Sequence, residues 1–239
     1  MYVIDGRAIA FRQGRGCGPA VVFLPGYMSD MAGGKATAVF DHCAAEGREC
    51  LLLDYSGCGE SAGDFADGTL SRWRDEVLAL VETKVTSDRV VLVGSSMGGW
   101  LMLLIGMALG ERLAGLVGIA SAPDFSDWGY DAAQKAQLAA GETIYEDSDY
   151  GYEPMPTHAT FWRDAEANRL LDKTIPLTCP VRLLHGQEDR DVPPETSLRL
   201  AAALASEDLQ VTLVKGGDHR LSRETDIALL LRTVSALTN

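Results

Sequence analysis

The amino-acid sequence predicts an α/β fold, with a mostly parallel central sheet, helices on both faces and an antiparallel hairpin at the N-terminal edge. Short runs such as AVVFLPG and RVVLVG are continuously apolar, which is typical of strands buried on both faces. These runs alternate with longer segments whose apolar residues have helical spacing. Such alternation favours parallel strands joined by crossover helices, so we predict a single domain spanning residues 1–239.

The predicted elements follow one another regularly along the chain. Two short apolar strands surround Asp5-Gly6, a pair suited to a hairpin turn. The later strands are predicted in AVVFLPG, CLLLDY, RVVLVG, LAGLVGIA, CPVRLLHG and LQVTLVKG. Helices are predicted in GGKATAVFDHCAAEG, TLSRWRDEVLALVETKV, MGGWLMLLIGMAL, PPETSLRLAAALASE and RETDIALLLRTVSAL. Ligands of such sheets gather at the carboxyl ends of the strands, so the residues after each strand are the candidates for chemistry.

One segment, about residues 124–175, interrupts this alternation. It has no clear strand, although DAAQKAQLAAGETIY and TFWRDAEANRLL could each form a helix. It is rich in aromatic residues, namely Phe125, Trp128, Tyr130, Tyr145, Tyr150, Tyr152, Phe161 and Trp162. We predict an inserted helical cap over the strand ends, with Trp128, Tyr130, Phe161 and Trp162 as candidate substrate contacts. The alternative is a pair of helices that uses its aromatic residues for ordinary packing.

Composition excludes several classes of partner. The formal net charge is −13, from 21 basic and 34 acidic side chains, which disfavours nucleic acid and anionic membrane surfaces. No apolar run approaches the roughly 18 residues of a membrane helix, so we expect no stable membrane insertion.

The five cysteines form no CxxC pair, and the N-terminus has no export signal. We therefore expect reduced cysteines, no metal site and a cytoplasmic location, with no prediction of the oligomeric state.

The most informative motif is Gly94-Ser95-Ser96-Met97-Gly98, which fits G-x-S-x-G between a predicted strand and a predicted helix. In that context the central serine, Ser96, projects from a sharp turn as a nucleophile. The flanking glycines remove the clashes that such a turn would otherwise create. The amide of Met97, at the start of the helix, points to where an oxyanion would form. The alternative is a glycine-rich turn with a capping serine.

A serine hydroxyl needs an adjacent base, and a histidine should follow it in the chain. His219 lies in the loop KGGDHRLS, after the last strand and before the last helix, from which it can reach Ser96. His42 and His158 lie in a predicted helix and in the predicted cap. His185 ends an apolar strand, where we expect a structural hydrogen-bonding role.

The acid that orients the histidine should also follow a strand. The loop HGQEDRDVPP offers Glu188, Asp189 and Asp191, of which Asp189 is preferred because Asp191 is suited to capping the next helix. Asp124 is the main alternative. The second oxyanion donor is expected after the AVVFLPG strand, where the amide of Tyr27 can face the site.

These residues together resemble the α/β-hydrolase superfamily over almost the whole chain. The segments LPGYMSDMAGGKA, DYSGCGES, VGSSMGGWLML, CPVRLLHGQEDRDVP and GGDHRLS are most similar to the α/β-hydrolase-domain protein ten subfamily. Members of that subfamily are mitochondrial palmitoyl-protein thioesterases that also cleave acyl glucuronides. The resemblance implies a triad of Ser96, Asp189 and His219, oxyanion donors at Tyr27 and Met97, and no cofactor. We expect no transit peptide from the N-terminal residues, and therefore do not extend the mitochondrial address to this chain.

The expected function is a serine hydrolase that cleaves carboxylic esters or acyl thioesters through an acyl-enzyme. The substrate would be a small-molecule ester or an acylated protein, and the aromatic cap suggests an apolar acyl or aryl group. An acyl glucuronide would need a local cation such as Arg220, for which a surface salt bridge is the alternative role. An acyltransferase, a carbon–carbon bond hydrolase and a non-catalytic ligand-binding protein remain open.

Overall fold

The structure is a computed structural model that describes residues 1–147 and 154–238, and it has the predicted α/β architecture. The strands are β1 (Tyr2–Ile4), β2 (Arg7–Ile9), β3 (Phe11–Gly14), β4 (Cys17–Leu24), β5 (Arg48–Leu53), β6 (Val90–Ser95), β7 (Leu113–Ile119), β8 (Ile144–Glu146), β9 (Met155–Thr157), β10 (Val181–Gly186) and β11 (Leu209–Val214). In this part of the chain the central sheet has the order β11-β10-β7-β6-β4-β5-β3. Its neighbouring strands are parallel, apart from the antiparallel pair β3 and β5.

The predicted N-terminal hairpin is present as β1 and β2, which form a small sheet of their own. Asp5 and Gly6 at its turn both have positive φ, 46° and 79°, as a two-residue hairpin turn requires. The antiparallel edge of the central sheet is the next strand, β3, in which Phe11 pairs with Leu53 of β5.

Helices cover both faces of the central sheet. They are α1 (Gly34–Ala45), α2 (Leu70–Lys84), α3 (Met97–Leu109), α4 (Phe125–Trp128), α5 (Ala132–Ala140), α6 (Ala159–Ala167), α7 (Glu195–Ala203) and α8 (Glu224–Thr238). Val22 and Leu24 of β4 belong to the core shared with α2, α3 and α7. Val21 and Phe23 belong to the core shared with α1 and α8. The continuous apolar runs therefore bury both faces of their strands, as the sequence predicts. Among the described helices, none has the length and hydropathy needed to cross a membrane.

Helix α3 positions the sharp turn that carries Ser96, which we call the elbow. It is apolar nearly all round, and its residues 97–106 are all buried. A helix of this composition belongs in a core rather than on a surface. Its N-terminus is consequently held firmly at the end of β6.

The segment 124–175, which we call the cap segment, connects β7 to β10. The two predicted helices are present as α5 and α6. The antiparallel pair β8 and β9 was not predicted, because strands of three residues are too short to show an alternating pattern. Tyr150 and Tyr152 lie outside the described residues. The assignment of this segment as a cap within a single domain of residues 1–239 stays a prediction.

Candidate active site

The turn between β6 and α3 holds Ser96 in an uncommon backbone conformation, with φ 54° and ψ −118°. Positive φ is costly for a residue with a side chain, so the surrounding structure must enforce it. A Cβ at Gly98 would overlap the carbonyl oxygens of Leu24 and Pro25. A Cβ at Gly94 would overlap the backbone of Gly98. The two glycines therefore permit the tight turn that leaves Ser96 half-buried at the edge of the sheet.

Three distant loops bring Ser96, His219 and Asp189 into contact. The Oγ atom of Ser96 lies 3.1 Å from Nε2 of His219. The Nδ1 atom of His219 lies 2.8 Å from Oδ2 of Asp189. The three residues follow β6, β11 and β10, whose parallel strands bring their carboxyl ends to one edge of the sheet. The structure thus brings together the three predicted side chains, and their catalytic roles stay a prediction.

Asp189 is held by four hydrogen-bond donors. Its Oδ1 accepts from the amides of Asp191 at 3.0 Å and Val192 at 2.9 Å. Its Oδ2 accepts from His219 at 2.8 Å and lies 3.1 Å from Nε2 of His185. Burial alone would raise the pKa of this carboxyl, but hydrogen bonds from His185, His219 and Val192 outweigh it. The pKa of Asp189 therefore lies well below its usual range, and the group is ionised at neutral pH.

Asp189, Asp191 and His219 each place one potential metal-ligand atom within 4.8 Å of the others. The four donors already occupy the acceptor sites of the Asp189 carboxylate. Nε2 of His219 faces the hydroxyl of Ser96. The ligand atoms of Asp189 and His219 are therefore already engaged in contacts within the protein.

Asp124, the alternative acid, has partners in the cap segment. It is 1 % exposed, and its two carboxylate oxygens accept from the amides of Leu170 and Leu171, each at 2.8 Å. Burial raises the pKa of Asp124, and the two amide hydrogen bonds only partly counteract it. Asp124 therefore fastens the start of the cap segment to its end.

We expect Asp124→Ala to lower the free energy of unfolding by about 2–3 kcal/mol, because two amides lose a charged acceptor. Urea unfolding followed by circular dichroism measures this change. Asp127→Ala is the matched control, since Asp127 is a partly exposed residue that pairs with Lys135 and Arg169. Its expected cost is below about 1 kcal/mol. Equal losses in the two variants would contradict the fastening role of Asp124.

The loop after β4 passes directly beside the elbow. A Cβ at Gly26 would lie 3.3 Å from Cβ of Ser96, so the chain that leads into Tyr27 lies against the Ser96 side chain. Met97 is the first residue of α3, and the amide at this position has no acceptor within the helix. The amides of Tyr27 and Met97 thus belong to two chain segments that meet at Ser96, the loop after β4 and the start of α3. Their role as oxyanion donors stays a prediction.

The side chain of Tyr27 connects this loop to the cap segment. Its hydroxyl donates to the carbonyl oxygen of Pro156 at 2.9 Å. Its ring centroid lies 4.9 Å from that of Phe161 and 5.0 Å from that of Phe65. Burial raises the pKa of Tyr27 well above its usual range, so the hydroxyl remains a donor. A displacement of the cap segment would therefore also shift the loop that carries the Tyr27 amide.

Phe161 and Tyr130 are the predicted substrate contacts that lie in the aromatic interior. Phe161 is 2 % exposed and stacks on Phe125, with ring centroids 5.7 Å apart. The Tyr130 hydroxyl lies 2.9 Å from the hydroxyl of Thr157. The substrate-binding role of both residues stays a prediction.

The other predicted contacts have backbone partners. The indole N–H of Trp128 donates to the Pro123 carbonyl at 2.8 Å, and that of Trp162 donates to the Ser126 carbonyl at 3.0 Å. Both indoles therefore brace the first turn of the cap segment. Arg220 follows His219, and its carbonyl oxygen accepts from the ammonium group of Lys35. The substrate-binding role of Trp128, Trp162 and Arg220 stays a prediction.

Sequence analysis missed one residue at this site, His185. Its side chain is fully buried, and it shares Oδ2 of Asp189 with His219. The expected structural hydrogen bonds are present, to Val192 and Ser197, but the contact with Asp189 was not foreseen. The available signal was the spacing of four residues between His185 and Asp189, across the turn that ends β10.

Comparison with known proteins places this geometry in context. Residues 21–230 match the alpha/beta hydrolase family. The chain is 40% identical over 235 residues to "Palmitoyl-protein thioesterase ABHD10, mitochondrial" of Mus musculus, covering 96% of this chain and 78% of that protein. It is 36% identical over 235 residues to the Homo sapiens protein of the same name, covering 96% and 76%.

Two solved structures are similar over nearly the whole chain. A putative hydrolase from Agrobacterium vitis S4 has a TM-score of 0.92 and 37% identity, covering 100% of this chain and 96% of that one. Alpha/beta hydrolase domain-containing protein 10 from mouse has a TM-score of 0.87 and 39% identity, covering 96% and 93%. The fold and the subfamily resemblance predicted from the sequence are thereby confirmed.

The expected cytoplasmic location is wrong by the same comparison. The mouse and human relatives are both named as mitochondrial proteins. The expectation came from the unpaired cysteines and from the N-terminal residues, and neither feature separates the cytoplasm from another reducing compartment.

Proposed function

Since the chain belongs to the alpha/beta hydrolase family, we propose that its hydrolase activity cleaves acyl thioesters and carboxylic esters through an acyl-enzyme on Ser96. The observation that supports this most directly is the continuous hydrogen-bond chain from Ser96 through His219 to Asp189. A hydroxyl is activated when a positioned base accepts its proton, and the base needs a carboxylate to fix its tautomer. The positions of His219 beside Ser96 and of Asp189 beside His219, at the carboxyl edge of the sheet, support both roles.

The proposed mechanism begins with Nε2 of His219 accepting the proton of Ser96 as Oγ attacks the substrate carbonyl carbon. Asp189 stabilises the imidazolium that forms. The amides of Tyr27 and Met97 donate to the oxyanion of the tetrahedral intermediate. The carbon–oxygen or carbon–sulfur bond to the leaving group then breaks, and the alcohol or thiol takes the proton from His219. Water repeats the sequence on the acyl-enzyme and releases the carboxylic acid.

The proposed substrates have an apolar acyl group, on a small molecule or on a protein thiol. The aromatic rings packed around Tyr27 form an apolar cluster that begins one residue after Gly26, where the chain passes Ser96. The relatives are named as palmitoyl-protein thioesterases, which are enzymes of long apolar acyl groups. Both observations favour fatty acyl thioesters over small polar esters.

A serine-directed fluorophosphonate probe, followed by a panel of acyl thioesters and p-nitrophenyl esters, tests this proposal. We expect the unmodified protein to be labelled, Ser96→Ala to remain unlabelled, and thioester turnover to increase with acyl chain length. Turnover of short p-nitrophenyl esters with no cleavage of any acyl thioester would refute the thioesterase assignment. Absence of both labelling and turnover would favour a non-catalytic binding protein.

A further inference from the structure

We propose that His185 is a positioning residue for catalysis, acting through Asp189, and this inference rests on the proposed function. Nε2 of His185 lies 3.1 Å from Oδ2 of Asp189, the oxygen that also accepts from Nδ1 of His219 at 2.8 Å. One carboxylate oxygen thus receives two imidazole rings. One ring faces Ser96, and the other is sealed in the interior.

The contacts of His185 define which of its nitrogens carries hydrogen. Nε2 lies 3.0 Å from the carbonyl oxygen of Val192, which can only accept, so Nε2 must donate. That N–H donates to Val192, and the same nitrogen lies 3.1 Å from Oδ2 of Asp189. Nδ1 lies 2.7 Å from the hydroxyl of Ser197, which can donate to it. A neutral ring with hydrogen on Nε2 satisfies every polar atom, since the Val192 carbonyl requires that hydrogen and the Ser197 hydroxyl can donate to Nδ1.

The effect on Asp189 follows from its acceptor sites. Two backbone amides hold Oδ1, and the two imidazole rings hold Oδ2. With all four donors present, the carboxylate cannot rotate without losing a hydrogen bond. Removing His185 would leave Oδ2 with one partner in a fully buried position. Asp189 could then turn, and its hold on the orientation of His219 would weaken.

The contact between His185 and Asp189 also reduces the negative charge that Asp189 presents to His219. A donor on Oδ2 withdraws part of the negative charge of Asp189 that would otherwise attract a protonated His219. Other charged groups near His219 are Asp191, within 4.8 Å, and Asp218 and Arg220 on its own loop. Lys35 of α1 contacts that loop at the Arg220 carbonyl. All of these remain when His185 is replaced, so a change in pH dependence reports on His185 alone.

The decisive variants are His185→Phe, which removes the donor, and His185→Gln, which retains an N–H at a similar reach. We expect His185→Phe to lower kcat on the order of 10–100-fold, as for loss of a hydrogen bond to a charged group, with KM unchanged within about twofold. The acid limb of the kcat/KM profile should move upward by about 0.5 pH unit. His185→Gln should recover most of kcat and the original pH limb.

His42→Phe is the matched control, because Nε2 of His42 also contacts a serine hydroxyl, at 2.7 Å from Ser235, on α1 far from the site. It should leave kcat and the pH profile unchanged. If His185→Phe does not fold, Ser197→Ala serves instead and should lower kcat by about threefold with the same direction of pH shift.

Two results would overturn the inference. The first is a lower melting temperature in His185→Phe with kcat and the pH profile intact, which would indicate a purely structural residue. The second is an equal loss in His185→Phe and His185→Gln. Ser96→Ala is measured in parallel, since turnover that survives it would refute the proposed function itself. Turnover that needs Ser96 but is insensitive to residues 185 and 197 would refute only the role of His185.

Discussion

Replacing Ser96 by alanine is expected to lower kcat by roughly 10⁶-fold, the loss seen when a serine nucleophile that acts together with its base is removed. The hydroxyl of Ser96 is 3.1 Å from Nε2 of His219, and alanine offers that base nothing to activate. The fold should survive, because alanine has the same Cβ as serine at a residue whose φ is 54°. Steady-state hydrolysis of a p-nitrophenyl ester measures the loss, and circular dichroism verifies the fold.

Ser95→Ala is the matched control for this prediction. Ser95 is the neighbouring serine of the same motif, but it ends β6 and is 9 % exposed. Its side chain alternates to the other side of the strand from that of the preceding and following residues. We expect kcat of Ser95→Ala within about threefold of the unmodified protein. Residual activity of Ser96→Ala within tenfold of the unmodified protein would refute covalent catalysis at Ser96.

The elbow could be predicted from sequence because its requirements are local. The backbone angles of Ser96 require glycine two residues before and two residues after it, at Gly94 and Gly98. The steric requirement of the turn is therefore visible in the motif. The position of His219 beside Ser96 could be predicted for a related reason. Loops after parallel strands reach the same edge of the sheet, which restricts the number of histidines that can meet Ser96.

Contacts between distant segments could not be predicted in this way. The hydroxyl of Tyr27 reaches Pro156 across the cap segment, and nothing in the local sequence of either residue indicates the other. Asp124 and Asp189 both follow strands of the same sheet, so sequence alone left both as candidate acids. Their hydrogen-bond partners separate them, since Asp124 binds the amides of Leu170 and Leu171.

Asp189→Asn is expected to lower kcat on the order of 10⁴-fold, the magnitude typical of an amide in place of the triad acid. The reason lies in the four donors around this side chain. An asparagine must direct its NH₂ group at either two backbone amides or two imidazole rings. If the NH₂ group faces the rings, Nδ1 of His219 must accept from it, and the ring hydrogen then lies on Nε2. Nε2 can no longer accept the proton of Ser96. If the NH₂ group faces the amides, the loop 187–194 is destabilised and the ring loses its orientation.

Two other aspartates decide whether this loss belongs to position 189. Asp191→Asn should keep kcat within about fivefold, because its side chain is exposed and the substitution keeps the backbone amide that donates to Asp189. Asp124→Asn should reduce stability while the kcat of the folded fraction stays within the same range, since its partners lie in the cap segment. The pH–rate profile of all three variants, normalised to folded protein, distinguishes the cases. A 10⁴-fold loss in Asp124→Asn together with a mild effect in Asp189→Asn would contradict this assignment. It would indicate that Asp124, which follows β7, is the acid and that Asp189 does not orient His219.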